Sequence, residues 1–138
     1  MRWISGFWSG LKWVKRARIE AVRLNQNRAE SGDPAAQYDL GERYHDGLGV
    51  TRDYSAALKW FLQAAEQEHA KARLNAGMML FLGRGGEPNG AEAVKWLVLA
   101  AEGGEAKARA VLESISKRLP PDVVEEGRRR ARSITGLT

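Results

Sequence analysis

Catalysis or metal binding in a chain of 138 residues would show first in its histidines, cysteines and paired carboxylates, and these are sparse. His45 and His69 are the only histidines and there is no cysteine, which removes disulfides, thiolate metal ligands and thiol nucleophiles. A metal site would have to be built largely from carboxylates, and no ligand spacing suggests one. Both histidines read as surface or turn residues. Gly83-Arg84-Gly85-Gly86 is glycine-rich, but no Lys-Ser or Lys-Thr follows it to hold phosphate and magnesium. No serine stands in a Gly-x-Ser-x-Gly elbow, and Glu42 and Asp46 read as helix-surface acids rather than a general acid and base. The sequence therefore predicts a protein with no catalytic residues, no metal and no cofactor, whose chemistry is that of association.

The residues suited to association fall in two stretches. At the N-terminus, Trp3, Ile4, Phe7, Trp8, Leu11 and Val14 recur at helical spacing and gather on one face, with Lys12, Lys15 and Arg16 towards the other. Trp13 and Arg18 break the stripe. Residues 1–30 hold seven Lys or Arg against Glu20 and Glu30, which accounts for the whole formal charge of +5; the rest of the chain balances. That neutral body gives no broad signature for phosphate backbones, and no nucleic-acid partner is expected. A membrane span needs about 20 mainly apolar residues, and Lys12, Lys15, Arg16 and Arg18 interrupt too early. A secretory signal is not expected either, because the apolar run is short, interrupted by glycine and lacks a cleavage site of small residues. Two expectations remain open for residues 1–30. They form an interfacial helix on an anionic leaflet, or a helix docked on protein, either a partner or the chain's own repeats.

The second stretch must be placed by a repeat. Ala57-Leu58-Lys59-Trp60 returns as Ala93-Val94-Lys95-Trp96, and at the same offset Gly41 returns as Gly77, Gly47 as Gly83, and Ala64-Ala65 as Ala100-Ala101. A constant period of this size marks stacked supersecondary units. Asp33-Pro34 starts one helix, running to about Asp46; Gly47-Leu48-Gly49-Val50 turns the chain; Asp53 caps a second helix, running to about Gln67. The next copy has a helix over 70–82, a turn at 83–88, a cap at Asn89 and a helix to Gly103. The unit is a helical hairpin, with its alanines at close helix contacts and Trp60 and Trp96 packed between hairpins. A third unit begins at Gly104 with Ala108, Val111, Leu112 and Ile115, but Leu119 and Pro121 stand where turn glycines are needed. The array ends there, and residues 119–138 read as a C-terminal capping helix, with acids early and arginines late along its dipole.

These residues resemble the Sel1-like repeat family, a subclass of the tetratricopeptide-like solenoids. Its pattern is met in the first copy by Ala36, Leu40-Gly41, Tyr44, Gly47-Leu48-Gly49-Val50, Asp53, Ala57, Trp60 and Ala64-Ala65. The second copy has Ala76 for Leu, Leu80 for Tyr, Gly86 for Val and Asn89 for Asp. The resemblance implies an all-α fold, a short right-handed α-solenoid of helix-turn-helix repeats. It has two full 36-residue repeats over 31–118 with a degenerate third, and extra helices at both ends. It also implies a protein-interaction scaffold, of the kind found as adaptors in bacterial envelope, motility or secretion assemblies.

In that family the first helix of each hairpin lines the concave surface. Leu74 to Leu82 is apolar nearly all round, so Met78, Met79, Phe81 and Leu82 are the candidate residues for holding a helical or extended partner segment. Arg43 and His45, on the corresponding helix of the first copy, join them. Two hairpins fall below the usual minimum of about three units for a stable array, so helices capping both ends are physically expected. The function expected is a non-enzymatic adaptor, an accessory subunit attached to a larger, membrane-associated assembly through its N-terminal helix. The alternative is a self-contained cytosolic adaptor in which that helix only caps; a small regulatory enzyme is a third reading, with no residue constellation behind it. The absence of cysteine fits the cytoplasm, with a peripheral position on the inner membrane if the helix meets lipid.

Overall fold

The computed structural model describes residues 2–136, with side chains from Ser5 onward. They form seven helices in chain order: α1 (Arg2–Glu30), α2 (Pro34–Asp46), α3 (Tyr54–Glu66), α4 (Ala70–Leu82), α5 (Gly90–Glu102), α6 (Ala108–Ser116) and α7 (Pro121–Thr135). No strand occurs among the described residues. The hairpin starts follow from their caps. Asp33, Asp53 and Asn89 each accept a backbone N–H of the first turn, at 3.0, 3.1 and 3.1 Å, and Gly47 and Gly83 close α2 and α4 in the left-handed conformation. His69 is not a mere turn residue. Its Nδ1 accepts from Ala72 N at 3.2 Å as the cap of α4, and its ring stacks on Tyr38 at 4.6 Å. Burial pushes its pKa down, which keeps the imidazole neutral and able to accept.

Within each hairpin the helices approach over a glycine. A Cβ on Gly41 would lie 2.5 Å from the Phe61 ring, and one on Gly77 2.8 Å from Leu97 Cγ. Larger residues there would force the pair apart. One core joins the hairpins through Ala57, Phe61, Ala64, Ala72, Ala76, Met79 and Trp96, and a second carries Leu74, Val94 and Leu97 onto Leu112 and Ile115 of α6. The repeated tryptophans differ. Trp96 is buried, whereas Trp60 is half-buried against the small cluster of Val22, Ala29, Ala36 and Leu40 between α1 and α2.

The third unit does not close as a hairpin; α7 packs on α5 instead. Gly127 makes that contact, since a Cβ there would lie 2.5 Å from Val94 Cβ and 2.6 Å from Ala91 O. Ala131 is buried beside it.

The second half of α1 belongs to the repeat. Gln37 Nε2 donates to Ala29 O at 3.0 Å, and one period later Arg73 Nε donates to Ala65 O at 3.0 Å. Gly49 abuts Val22 and Arg18 O just as Gly85 abuts Leu58 and Tyr54 O. Gly32, Glu68 and Gly104, at the same repeat position, all carry positive φ, of 98°, 65° and 88°. Residues 18–30 thus stand to the first hairpin as α3 stands to the second. The sequence carries the signal as Ala21-Val22-Arg23, one period before Ala57-Leu58-Lys59, but Leu24 replaces the tryptophan and no turn glycines precede it. Ahead of residue 18 the helix continues straight where α3 and α5 begin, as an arm about 24 Å long at 1.5 Å per residue.

Candidate interaction surfaces

The first helices of the successive units, α2, α4 and α6, line two adjoining cavities. One, of about 310 Å³, has Glu42, His45 and Asp46 of α2 on one wall, Asn75, Met78 and Leu82 of α4 on the other, Arg84 from the next turn and Phe61. The other, of about 330 Å³, lies between Met78, Phe81 and Leu82 of α4 and Ala110, Val111, Ser114 and Ile115 of α6. Met78 and Leu82 belong to both, so the two cavities meet along α4. Met78 is 39% exposed and Leu82 52% exposed, while Phe81 is half-buried.

Met79 does not belong to this surface. It is 4% exposed, in the core shared by the two hairpins. Adjacent residues on a helix point about 100° apart, so the two methionines of this largely apolar helix go to opposite environments. Arg43 also lies elsewhere. Its Nε donates to Asp39 Oδ2 at 2.7 Å, and Asn25 of α1 donates to the same oxygen, which places Arg43 at the junction with α1. His45 lines the cavity with its Nδ1 2.7 Å from Asp46 Oδ1 and its ring 5.2 Å from Tyr54. The Arg52 and Arg84 guanidiniums both lie 5.5 Å from the Tyr54 ring centre, so one end of the groove is polar and the other apolar. Deeper in, Tyr38 donates to Glu42 Oε1 at 2.7 Å. Burial and Glu42 raise the phenol's pKa, so it remains a donor.

The arm of α1 forms a second surface. Residues 5–20 are exposed throughout, including Phe7, Trp8, Leu11, Trp13 and Val14. The side chains of Trp3 and Ile4, which the sequence adds to this stripe, lie outside the described residues. Leu11, Val14, Lys15, Arg18 and Ile19 overhang the first turn at Gly47–Thr51, leaving an open wedge of about 780 Å³. Among the described residues no acid pairs with Lys12, Lys15, Arg16 or Arg18. Of α1, the far half packs on the repeats through Val22 and Ala29, while residues 5–20 stay exposed.

Among the described residues no His, Asp and Glu cluster could hold a metal ion, and no helix is long and apolar enough to cross a membrane. The arrangement is that of an α-solenoid of stacked hairpins, a class built to present surfaces. The Sel1 repeat model matches residues 34–69 and 70–105, and the chain belongs to that family. Repeats of this family typically mediate protein–protein interactions.

The fold is similar to a crystal structure of a Sel1 repeat protein from Oxalobacter formigenes. The TM-score is 0.67 at 37% identity, covering 68% of this chain and 39% of that one. It is also similar to a protective antigen of uropathogenic Escherichia coli displaying this repeat fold, with a TM-score of 0.79 at 25% identity, covering 83% and 25%. Among curated proteins, an uncharacterized protein of Neisseria meningitidis is 36% identical over 67 residues, and a putative sel1-like repeat-containing protein of Acanthamoeba polyphaga mimivirus 37% over 41. These alignments span 49% and 30% of this chain but only 13% and 7% of those relatives.

Proposed function

We propose that the chain is a non-enzymatic adaptor that holds a helical or extended protein segment in the groove of α2, α4 and α6. The observation that supports this most directly is the exposure of Met78 and Leu82 where the two cavities meet. Two adaptable apolar side chains at i and i+4 match the anchor spacing of a helix laid in a groove. Glu42, Asp46 and Arg84 at one end offer that segment charged contacts of both signs. The arm of α1, with its uncompensated cations and exposed aromatics, then attaches the adaptor to a larger assembly, on a protein or at an anionic membrane. Its place is the cytoplasm or the inner face of the inner membrane.

The groove is tested by placing a photo-cross-linking residue at Leu82 in cells, with Lys59 on α3 as the control position. A discrete protein adduct is expected at residue 82 alone, reduced about tenfold or more by Met78→Glu, since one interface anchor carries about 2 kcal/mol. The melting temperature should stay within a few degrees. Equal adducts at both positions, or unfolding by Met78→Glu, would remove the groove from the account.

A further inference from the structure

Each hairpin sets its first helix antiparallel to its second, with Gly41 against Phe61 and Gly77 against Leu97. The second half of α1 has the position of a second helix, yet among the described residues no first helix lies beside it. One period back, that contact pattern would set an incoming chain's residue 5 level with residue 25 of α1. The flank so left open carries Phe7, Gly10, Val14, Ala17, Ala21 and Leu24, the alternating three and four spacing of a two-helix seam. Phe7 is 63% exposed and Leu24 61% exposed; Gly10, Val14 and Ala17 are exposed and Ala21 is half-buried.

We propose that a second copy of this chain covers the flank, with α1 antiparallel to α1. The seam is its own complement in that orientation. Phe7 falls opposite Leu24, Gly10 opposite Ala21, and Val14 opposite Ala17, in a register within one residue of the one inside the hairpins. Large side chains meet at the ends, and the small pair of Gly10 and Ala21 permits close approach between them. Lys12 and Arg16 lie more than about 120° round the helix from the seam, so the like charges of the two copies turn outward, and the antiparallel dipoles attract. A lipid surface is the poorer occupant, because Gly10, Ala17 and Ala21 offer little apolar area, and the seam runs on to the part of α1 held against the repeats. Two helices about 40 Å long and about 10 Å across bury less than the roughly 800 Å² per partner of a standard interface. The dimer is therefore concentration-dependent.

Sedimentation velocity of the full chain from about 1 to about 300 µM should show a monomer–dimer equilibrium near the micromolar range. Ala17→Glu, on the seam, should weaken it about tenfold or more, while Arg16→Glu, off the seam, should not; far-ultraviolet circular dichroism checks that both variants fold. Since the chain has no cysteine, mixing a Gly10→Cys chain with an Ala21→Cys chain under mild oxidation should give the heterodimer in preference to either homodimer. The proposal is overturned by a monomer at all concentrations, by equal effects of the two glutamates, or by a dominant Gly10→Cys homodimer, the mark of parallel helices. It is also overturned if the monomer instead floats with phosphatidylglycerol vesicles and Ala17→Glu abolishes that.

Discussion

The helices at the two ends, α1 and α7, are both basic, but they dispose of their charge and their small residues in opposite ways. Arg130 of α7 reaches Glu92 of α5 at 2.7 Å and Glu126 at 2.9 Å, and Arg132 reaches Glu125 at 2.9 Å. Gly127 is pressed against Val94 and Ala91 O, whereas a Cβ on Gly6 or Gly10 of α1 would meet nothing within 4 Å. One end closes the solenoid with Arg130 and Gly127; the arm at the other leaves its cations and glycines facing outward. Composition alone therefore does not distinguish a packed cap from an exposed arm. What distinguishes them is whether acids and small-residue contacts are supplied from the neighbouring helix.

The contrast is broken most severely by Gly127→Val, which drives branched carbons into the α5 backbone and should cost about 3 kcal/mol or more. Urea unfolding followed by far-ultraviolet circular dichroism measures it, and an unchanged midpoint would mean that α7 does not close that end. Next in size is Glu92→Gln. Burial raises the pKa of Glu92, but Lys95 and Arg130 together outweigh it and hold the carboxyl below its ordinary 4.5. A depressed carboxylate pKa contributes stability that is present above the unfolded value and is lost as pH falls through the folded one. The native chain should lose that contribution progressively below about pH 4.5. Glu92→Gln should lie about 1 kcal/mol lower at pH 7 and converge with the native chain in acid. Smallest is Gly6→Ala in the arm, expected to raise helix content and the free energy of urea unfolding by less than about 1 kcal/mol, because the residue meets nothing and only helix propensity changes.

Much of the solenoid was legible because capping and turn chemistry are local. Asp33, Asp53, Asn89, Gly47 and Gly83 mark the hairpin boundaries wherever the chain is cut. The upstream continuation of the repeat was harder to see, since Ala21, Val22, Ala29 and Gly32 are common residues and the tryptophan that advertises the other copies is Leu24 here. The groove was legible only to the level of a helix. Met78 and Met79 are chemically identical neighbours, and their sorting depends on where α3 and α6 stand, which no local pattern carries. The run Leu74 to Leu82 is apolar nearly all round, yet Met78 and Leu82 stay open, because α6 stands across a cavity from them rather than in close contact. Arg43 left the candidate surface for a similar reason: its partner Asp39 is near in sequence, but Asn25, which shares that carboxylate, is on α1.

The buried side chains of Gln37 and Arg73 make the stack unequal along its length. Gln37 ties one unit to the next by a neutral amide, whose Nε2 donates to Ala29 O at 3.0 Å while its Oε1 accepts from Gln67 Nε2 at 2.8 Å; Arg73 instead brings a cation to Ala65 O at 3.0 Å and Leu99 O at 3.4 Å, fastening α3 and α5 together. Hydrogen bonds from charged donors are about twice as strong as neutral ones. By this bond alone the joint between α1 and α2 is tied less strongly than the one between α3 and α4, and Asn25–Asp39 and Arg28–Asp33 add to it. A pull on the arm would load this joint ahead of the hairpins behind it, and its ion pair Arg28–Asp33 is largely open to water.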